Sequence, residues 1–246
     1  MPEIQTSELI TLALMVAGAG AIAGFLAGVF GIGGGAILVP VFYQAFGFAG
    51  VDEAVRMHLS VGTSLAIIVP TSLRSFAAHR KKGAADLELL KSWVLPVPLG
   101  VIGASLVIAA ISSSGLRVVF ACIAIAVALR LIFNRDSWKL GDDIPDQPTR
   151  SIAGVVIGFL STLMGIGGGV LNNTFMTVFG RPIHQAVATS SGTGVLISIP
   201  GMLGAIWAGW GLSGLPIAST GYVNWIGVAF VIPITIFVAP YGAAVA

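Results

Sequence analysis

The sequence predicts an all-α polytopic membrane protein built from two inverted repeats. Each repeat holds a glycine-broken helical hairpin, expected to be re-entrant, together with membrane-spanning helices. Three observations carry this. Of 246 residues, 56% are hydrophobic and only 9% are charged, against roughly 25% charged in soluble domains. A glycine-rich string occurs twice, GFLAGVFGIGGGAILVP from Gly24 to Pro40 and GFLSTLMGIGGGVLNNT from Gly158 to Thr174, at a constant offset of 134 (158 − 24). The few charges gather in loops and at the ends of apolar runs.

The elements follow in chain order. Leu9 to Phe30 is a first apolar run near the ~20 residues that cross a bilayer. The residues before it carry Glu3 and Glu8 and no Lys or Arg. That is not the basic start of a signal peptide, so this run is expected in the mature protein. The first GIGGG then breaks a helix, since glycine clusters weaken helices and need a reason inside an apolar segment. Phe46 to Asp52 reads as a loop. A second motif follows, His58-Leu-Ser-Val-Gly-Thr-Ser64, which recurs as His184-Gln-Ala-Val-Ala-Thr-Ser190. Recurrence of two motifs marks two copies of one unit. Pro70 and Pro200 are expected to interrupt the helices that carry it.

Charge placement orients the copies. His79-Arg80-Lys81-Lys82 ends the first of those helices, which makes that end cytoplasmic by the positive-inside rule. The stretch Gly209 to Gly221 in the second copy has no charge and is expected outside. Leu90 to Ile111 and Leu116 to Phe133 are further spans, leading to a cytoplasmic linker with Arg135, Lys139 and Arg150. The expected division is residues 1–133 as first repeat, 134–150 as linker and 151–246 as second repeat. For the count to close, Ser151 to Gly180 must enter and return on the cytoplasmic side. About 15 residues precede Gly165, roughly 22 Å of helix, short of the ~30 Å hydrocarbon core.

Several residues are candidates for chemistry. Consecutive glycines turn backbone N–H groups into one concavity, and the helices that follow aim their N-termini there, which makes an anion site of bare backbone. Gly33, Gly34 and Gly35, with Gly167, Gly168 and Gly169, are therefore candidate substrate-binding residues. The hydroxyls of Thr63, Ser64, Thr189 and Ser190 and the amides of Asn172 and Asn173 add donors. Arg74 is a basic residue inside a span, a functional candidate by default. The ladders Gly20-Gly24-Gly28 and Gly154-Gly158 are assigned to helix packing. His58 and His184 are read as opening their helices, and Cys122 as a small packing residue in mid-span. A dinucleotide fingerprint over Gly31-x-Gly33-x-x-Ala36 fails, because both flanks are membrane segments rather than a βαβ unit.

Absences narrow the function. All ten acidic residues lie in loops or at ends, so no buried carboxylate serves as proton relay or cation ligand. There is no GxxxxGK[ST] for nucleotide hydrolysis. The single cysteine excludes an internal disulfide and a Cys-rich metal site. No cofactor, metal or nucleic-acid partner is expected. The expected partners are a small anion and the bilayer, with a homodimer as an option.

With these residues in hand, the sequence resembles the TauE/SafE family of sulfite exporters. The resemblance rests on GFLAGVFGIGGGAILVP, on HLSVGTSLAIIVPTSLRSFAAHRKKGAAD from His58 to Asp86, and on the second GIGGG with HQAVATSSGTG. It implies seven or eight spans, if broken hairpins are counted, and export of sulfite or organosulfonates such as sulfoacetate across a bacterial inner membrane. It supplies no set of binding residues. The expected function is a secondary transporter for such anions. The alternatives are a channel-like facilitator for other small anions and a non-transporting membrane scaffold. An integral-membrane enzyme ranks behind both, lacking a His or carboxylate cluster inside the spans.

Overall fold

The computed structural model describes residues 17–18, 20–25, 35–133 and 140–245. Most of the run from Leu9 to Phe30 lies outside them, as do Gly31 to Gly34 and residues 134–139 of the linker. Residues 20–25 are helical. The chain continues through α1 (Gly35–Phe48), α2 (Glu53–Lys81), α3 (Leu87–Trp93), α4 (Pro96–Ala110) and α5 (Ser113–Ile132). After the linker come α6 (Thr149–Leu163), α7 (Gly169–Val178) and α8 (Ile183–Ala208). A small hairpin of β1 (Ser219–Thr220) and β2 (Val223–Asn224) then leads into α9 (Trp225–Val245).

Among the described residues, α2, α5 and α8 are long and apolar enough to cross a membrane. The pair α3–α4, bent by 46°, is long and apolar enough for a fourth when taken together as one broken span. The sequence reads Leu90 to Ile111 as one run. It bends because Pro96 cannot continue the hydrogen-bond ladder and instead opens α4 in its first turn. Pro70 and Pro200 behave otherwise. Both sit inside continuous helices, α2 and α8, and do not interrupt them. Serine and threonine hydroxyls bond neighbouring carbonyls in such helices, as Thr71 Oγ1 does to the Ile67 carbonyl at 2.6 Å.

The centre of the molecule is the crossing of α2 and α8. A Cβ built on Gly201 would touch Leu65, one on Gly194 would touch Ser72, and one on Gly192 would touch Phe76. Numbering falls along α8 as it rises along α2, so the two helices run antiparallel. They carry the same His-x-x-Val-small-Thr-Ser motif. A two-fold axis that exchanges antiparallel spans lies across them, in the membrane plane, which is the geometry of inverted repeats.

The flanking helices obey the same axis. Gly154 packs on Trp93 and Pro96, and Gly158 on Val97. Gly20 packs on Val231 and Ile234, and Gly24 on Thr235. The glycines are related by 134 (154 − 20), and all three partners by 138 (231 − 93). Each repeat's first helix thus lies on the last helix of the other repeat. The glycine ladders are packing seams, close enough at Gly24 and Gly158 that backbone meets backbone.

The second hairpin is re-entrant. Its α6 has 15 residues and its α7 has 10, each too short for the ~30 Å core. Both outer ends meet the same neighbours. Trp93 Nε1 donates to the Arg150 carbonyl at the start of α6, and its ring lies 5.6 Å from that of Phe175 near the end of α7. Arg181, just past α7, pairs with Asp143 of the linker at 2.6 Å. The chain enters and leaves on one face, and the break lies at depth.

Outside this core, α5 is the connecting span and is only sparsely covered by protein. Its Val118, Ile125 and Leu129 are exposed, as an element solvated by lipid requires. Cys122 is exposed on the same helix rather than packed.

Candidate functional site

Both positive-φ turns in the second break are glycines, Gly165 at +62° and Gly168 at +76°, a region that residues with a Cβ rarely enter. From Ser161 through Gly169 every residue is buried. A Cβ on Gly165 would press on Val39 of α1 and on the backbone of Val61 in α2. The turn is therefore clamped by the first repeat.

The two glycine strings meet. A Cβ on Gly35 would collide with the carbonyl oxygen of Gly165, so α1 starts directly against the second break. Ser64 Oγ donates to that same carbonyl at 2.8 Å. Gly33 and Gly34 lie outside the described residues. Gly167 faces α8, its carbonyl 3.2 Å from where a Cβ on Gly194 would sit.

Gly168 is the N-cap of α7 and offers no side chain to cap it. The first bond of that helix runs from Asn172 N to the Gly168 carbonyl at 2.8 Å. The N–H groups of Gly169, Val170 and Leu171 therefore belong to the turn that an α-helix leaves without internal partners. Such a turn presents donors and the positive end of the helix dipole.

One turn further on, Asn172, Asn173 and Ser190 form a buried relay. Asn172 Nδ2 donates to Ser190 Oγ at 2.6 Å, and Ser190 Oγ donates to Asn173 Oδ1 at 2.5 Å. This pins α7 to α8. Asn172 Oδ1 is buried and has no partner among the described residues.

The threonines of the shared motif are placed differently. Thr63 Oγ1 accepts the backbone N–H of Asn224 at 3.0 Å, and Thr189 Oγ1 accepts that of Asp86 at 2.9 Å. Asn224 in turn accepts from Gly227 N and Asp86 from Leu89 N, each three residues on, at the start of the next helix. Each threonine anchors the helix start of the opposite repeat, and substrate contact would need that partner exchanged. Arg74 stands on an exposed face of α2 and forms no ion pair among the described residues.

The histidines separate as well. His184 is the second residue of α8 and exposed, whereas His58 lies inside α2, buried at 3% exposure. His58 Nε2 bonds the Ile111 carbonyl at 3.1 Å and its ring stacks on Tyr222 at 4.7 Å. It is a packed residue near the chain reversal rather than a helix opener. No group of three metal-ligating side chains occurs among the described residues.

Antiparallel, interlocked repeats around a buried helix break recur among membrane transporters. Comparison with known proteins places the chain more closely. Residues 16–246 match the family described as Sulfite exporter TauE/SafE, and the chain belongs to that family. It is 32% identical over 235 residues to a "Probable membrane transporter protein" of Haemophilus influenzae, covering 96% of this chain and 88% of the relative. A relative of the same description from Methanocaldococcus jannaschii is 30% identical over 244 residues, covering 96% and 84%. A third, from Bacillus subtilis, is 28% identical over 246 residues, covering 92% and 85%. No solved structure matches. The protein is a membrane transporter.

Proposed function

We propose that the protein is a secondary carrier that exports a small sulfur oxyanion, sulfite or an organosulfonate such as sulfoacetate, from the cytoplasm. The observation that carries this reading is the contact of the two glycine strings at a buried, uncapped helix start. There the anion is held between the breaks by backbone N–H groups around Gly33 to Gly35 and Gly167 to Gly169. Ser64, Ser190, Asn172 and Asn173 supply polar side chains around it, and Thr63 and Thr189 hold the frame. Arg74, on α2 toward its basic end, is a fixed positive charge on the approach. Residues 1–133 and 151–246 act as the two rocking halves, joined by 134–150.

Energetics favour this direction. The membrane potential, negative inside, assists anion exit by about 2.3 kcal/mol per charge per 100 mV, so no proton-coupling carboxylate is needed. Hydrogen bonds to a charged partner contribute roughly 1.5–3 kcal/mol each. A few offset part of the dehydration cost without the hold of several salt bridges, so release stays fast.

Flux from proteoliposomes loaded with sulfite, sulfoacetate, sulfate or chloride tests the reading. Protein-dependent efflux of sulfite or sulfoacetate is expected to exceed that of chloride. Preference for chloride would favour the channel-like facilitator, and absence of flux for every anion would leave only a scaffold.

A further inference from the structure

Buried hydroxyls in these helices mostly bond back to the preceding turn, the usual arrangement in apolar surroundings. Thr162 donates to the Gly158 carbonyl at 2.7 Å, and Ser105 to that of Val101 at 2.9 Å. Ser161 departs from this. Its Oγ is fully buried and has no hydrogen-bond partner among the described residues. An unpaired buried hydroxyl is costly unless something else occupies it.

Its neighbour is the uncapped start of α7. Ser161 Oγ lies 3.5 Å from where a Cβ on Gly168 would sit. The end of α6 beside it is closed, since the Leu160, Ser161 and Thr162 carbonyls accept from Met164, Ile166 and Gly165 N–H groups. Those carbonyls are thus taken, which leaves the Ser161 hydroxyl beside the N–H groups that open α7, with the unpartnered Asn172 Oδ1 one turn further on. The first string differs at the corresponding positions. By the offset of 134, Ser161, Asn172 and Asn173 fall on Ala27, Leu38 and Val39.

We propose that Ser161 and the first turn of α7 form an asymmetric oxyanion cradle, so that the second hairpin supplies the side-chain contact that selects the substrate head. This rests on the oxyanion reading above and narrows it. A sulfite or sulfonate head has three oxygens, one for the helix start and another for the Ser161 hydroxyl, whereas a halide has a single atom to share. Ser161 is a specificity-determining contact, and the first hairpin is its packing partner.

The test uses the full chain, with sulfite and sulfoacetate as probes, and compares Ser161→Ala with Ser198→Ala. Ser198, on α8, is another fully buried hydroxyl without a partner among the described residues. Without anion, Ser161→Ala should melt at or above the parent, because an unpaired hydroxyl has gone. Its half-saturating sulfite concentration should rise about 10- to 100-fold, and Ser198→Ala should stay at the parental value. If the alanine variant does not fold, Ser161→Cys, which keeps the shape with a weaker donor, is read the same way. Parental half-saturation in the Ser161 variant, or an equal loss in both variants, overturns the cradle and leaves the carrier standing. A parent that is neither stabilised by these anions nor moves them overturns both.

Discussion

Gly168 joins local conformation to packing most tightly. It holds φ at +76°, and a Cβ there would lie 2.5 Å from Ile197 Cδ1. Gly168→Ala combines backbone strain of about 1–3 kcal/mol with a clash in the core, and should lower thermal stability visibly in detergent. Gly50→Ala is the control, with the same sign of φ but open space around it. A Gly168 variant no less stable than the Gly50 variant would mean that the turn is not held as described. The threonines make a paired case. Thr63→Val and Thr189→Val each strand a backbone N–H, of Asn224 and of Asp86. Burying such a donor unpaired costs about 1–3 kcal/mol, so both variants should melt lower, Thr63→Val by more because Asn224 is buried and Asp86 only half-buried. A drop in one only would break the proposed equivalence. Recurrence exposed the Thr-Ser pairs in the sequence but not what they touch. Their partners are an acid in one repeat and an amide in the other, and those align only at an offset of 138 rather than 134. Ser161 escaped notice because it does not recur.

Between elements, the contact that matters most is that of α7 with α8. Asn172 and Asn173 hold Ser190 from two sides, where the first repeat has Leu38 and Val39. Converting the second hairpin toward the first with Asn172→Leu leaves the Ser190 hydroxyl short of a partner at full burial. Amide hydrogen exchange in α7 should then quicken. In a double-mutant cycle Asn172→Leu and Ser190→Ala should be non-additive by about 0.5–3 kcal/mol. Additive effects would show that the relay does not act as a unit. The hairpin itself was legible from length alone, since too few residues precede Gly165 to cross a bilayer. The bend between α3 and α4 was not, because the sequence stays apolar from Trp93 to Leu99 across Pro96 and so reads as one run. Pro70 and Pro200 misled for a related reason. A proline reads as a break in isolation, but in a membrane helix neighbouring helices and Ser/Thr hydroxyls make up for the lost bond.

For the molecule as a whole, inversion is a matter of counting crossings. The second hairpin returns to the side it came from, and the long helix and the last helix of each repeat cross once each. Two such crossings alone would bring the second repeat in with the orientation of the first. The connecting span α5 adds the odd crossing, which is why a helix so little covered by protein belongs to the architecture. It follows that the loop after α2 and the loop after α8 lie on opposite sides. The first opens on Lys82, directly after Arg80 and Lys81 in the last turn of α2, and the second, from Gly209 to Gly221, carries no charge. The positive-inside rule puts the first in the cytoplasm. Lys82 and Ser213 are both exposed, so each can be replaced by cysteine and labelled with an impermeant maleimide. Cys122 is exposed too and must first be removed as Cys122→Ser. Lys82→Cys should label only after the cells are opened, and Ser213→Cys in intact cells. Labelling of both from one side would make the repeats parallel, and the antiparallel crossing of α2 and α8 could not then be a crossing of two full spans.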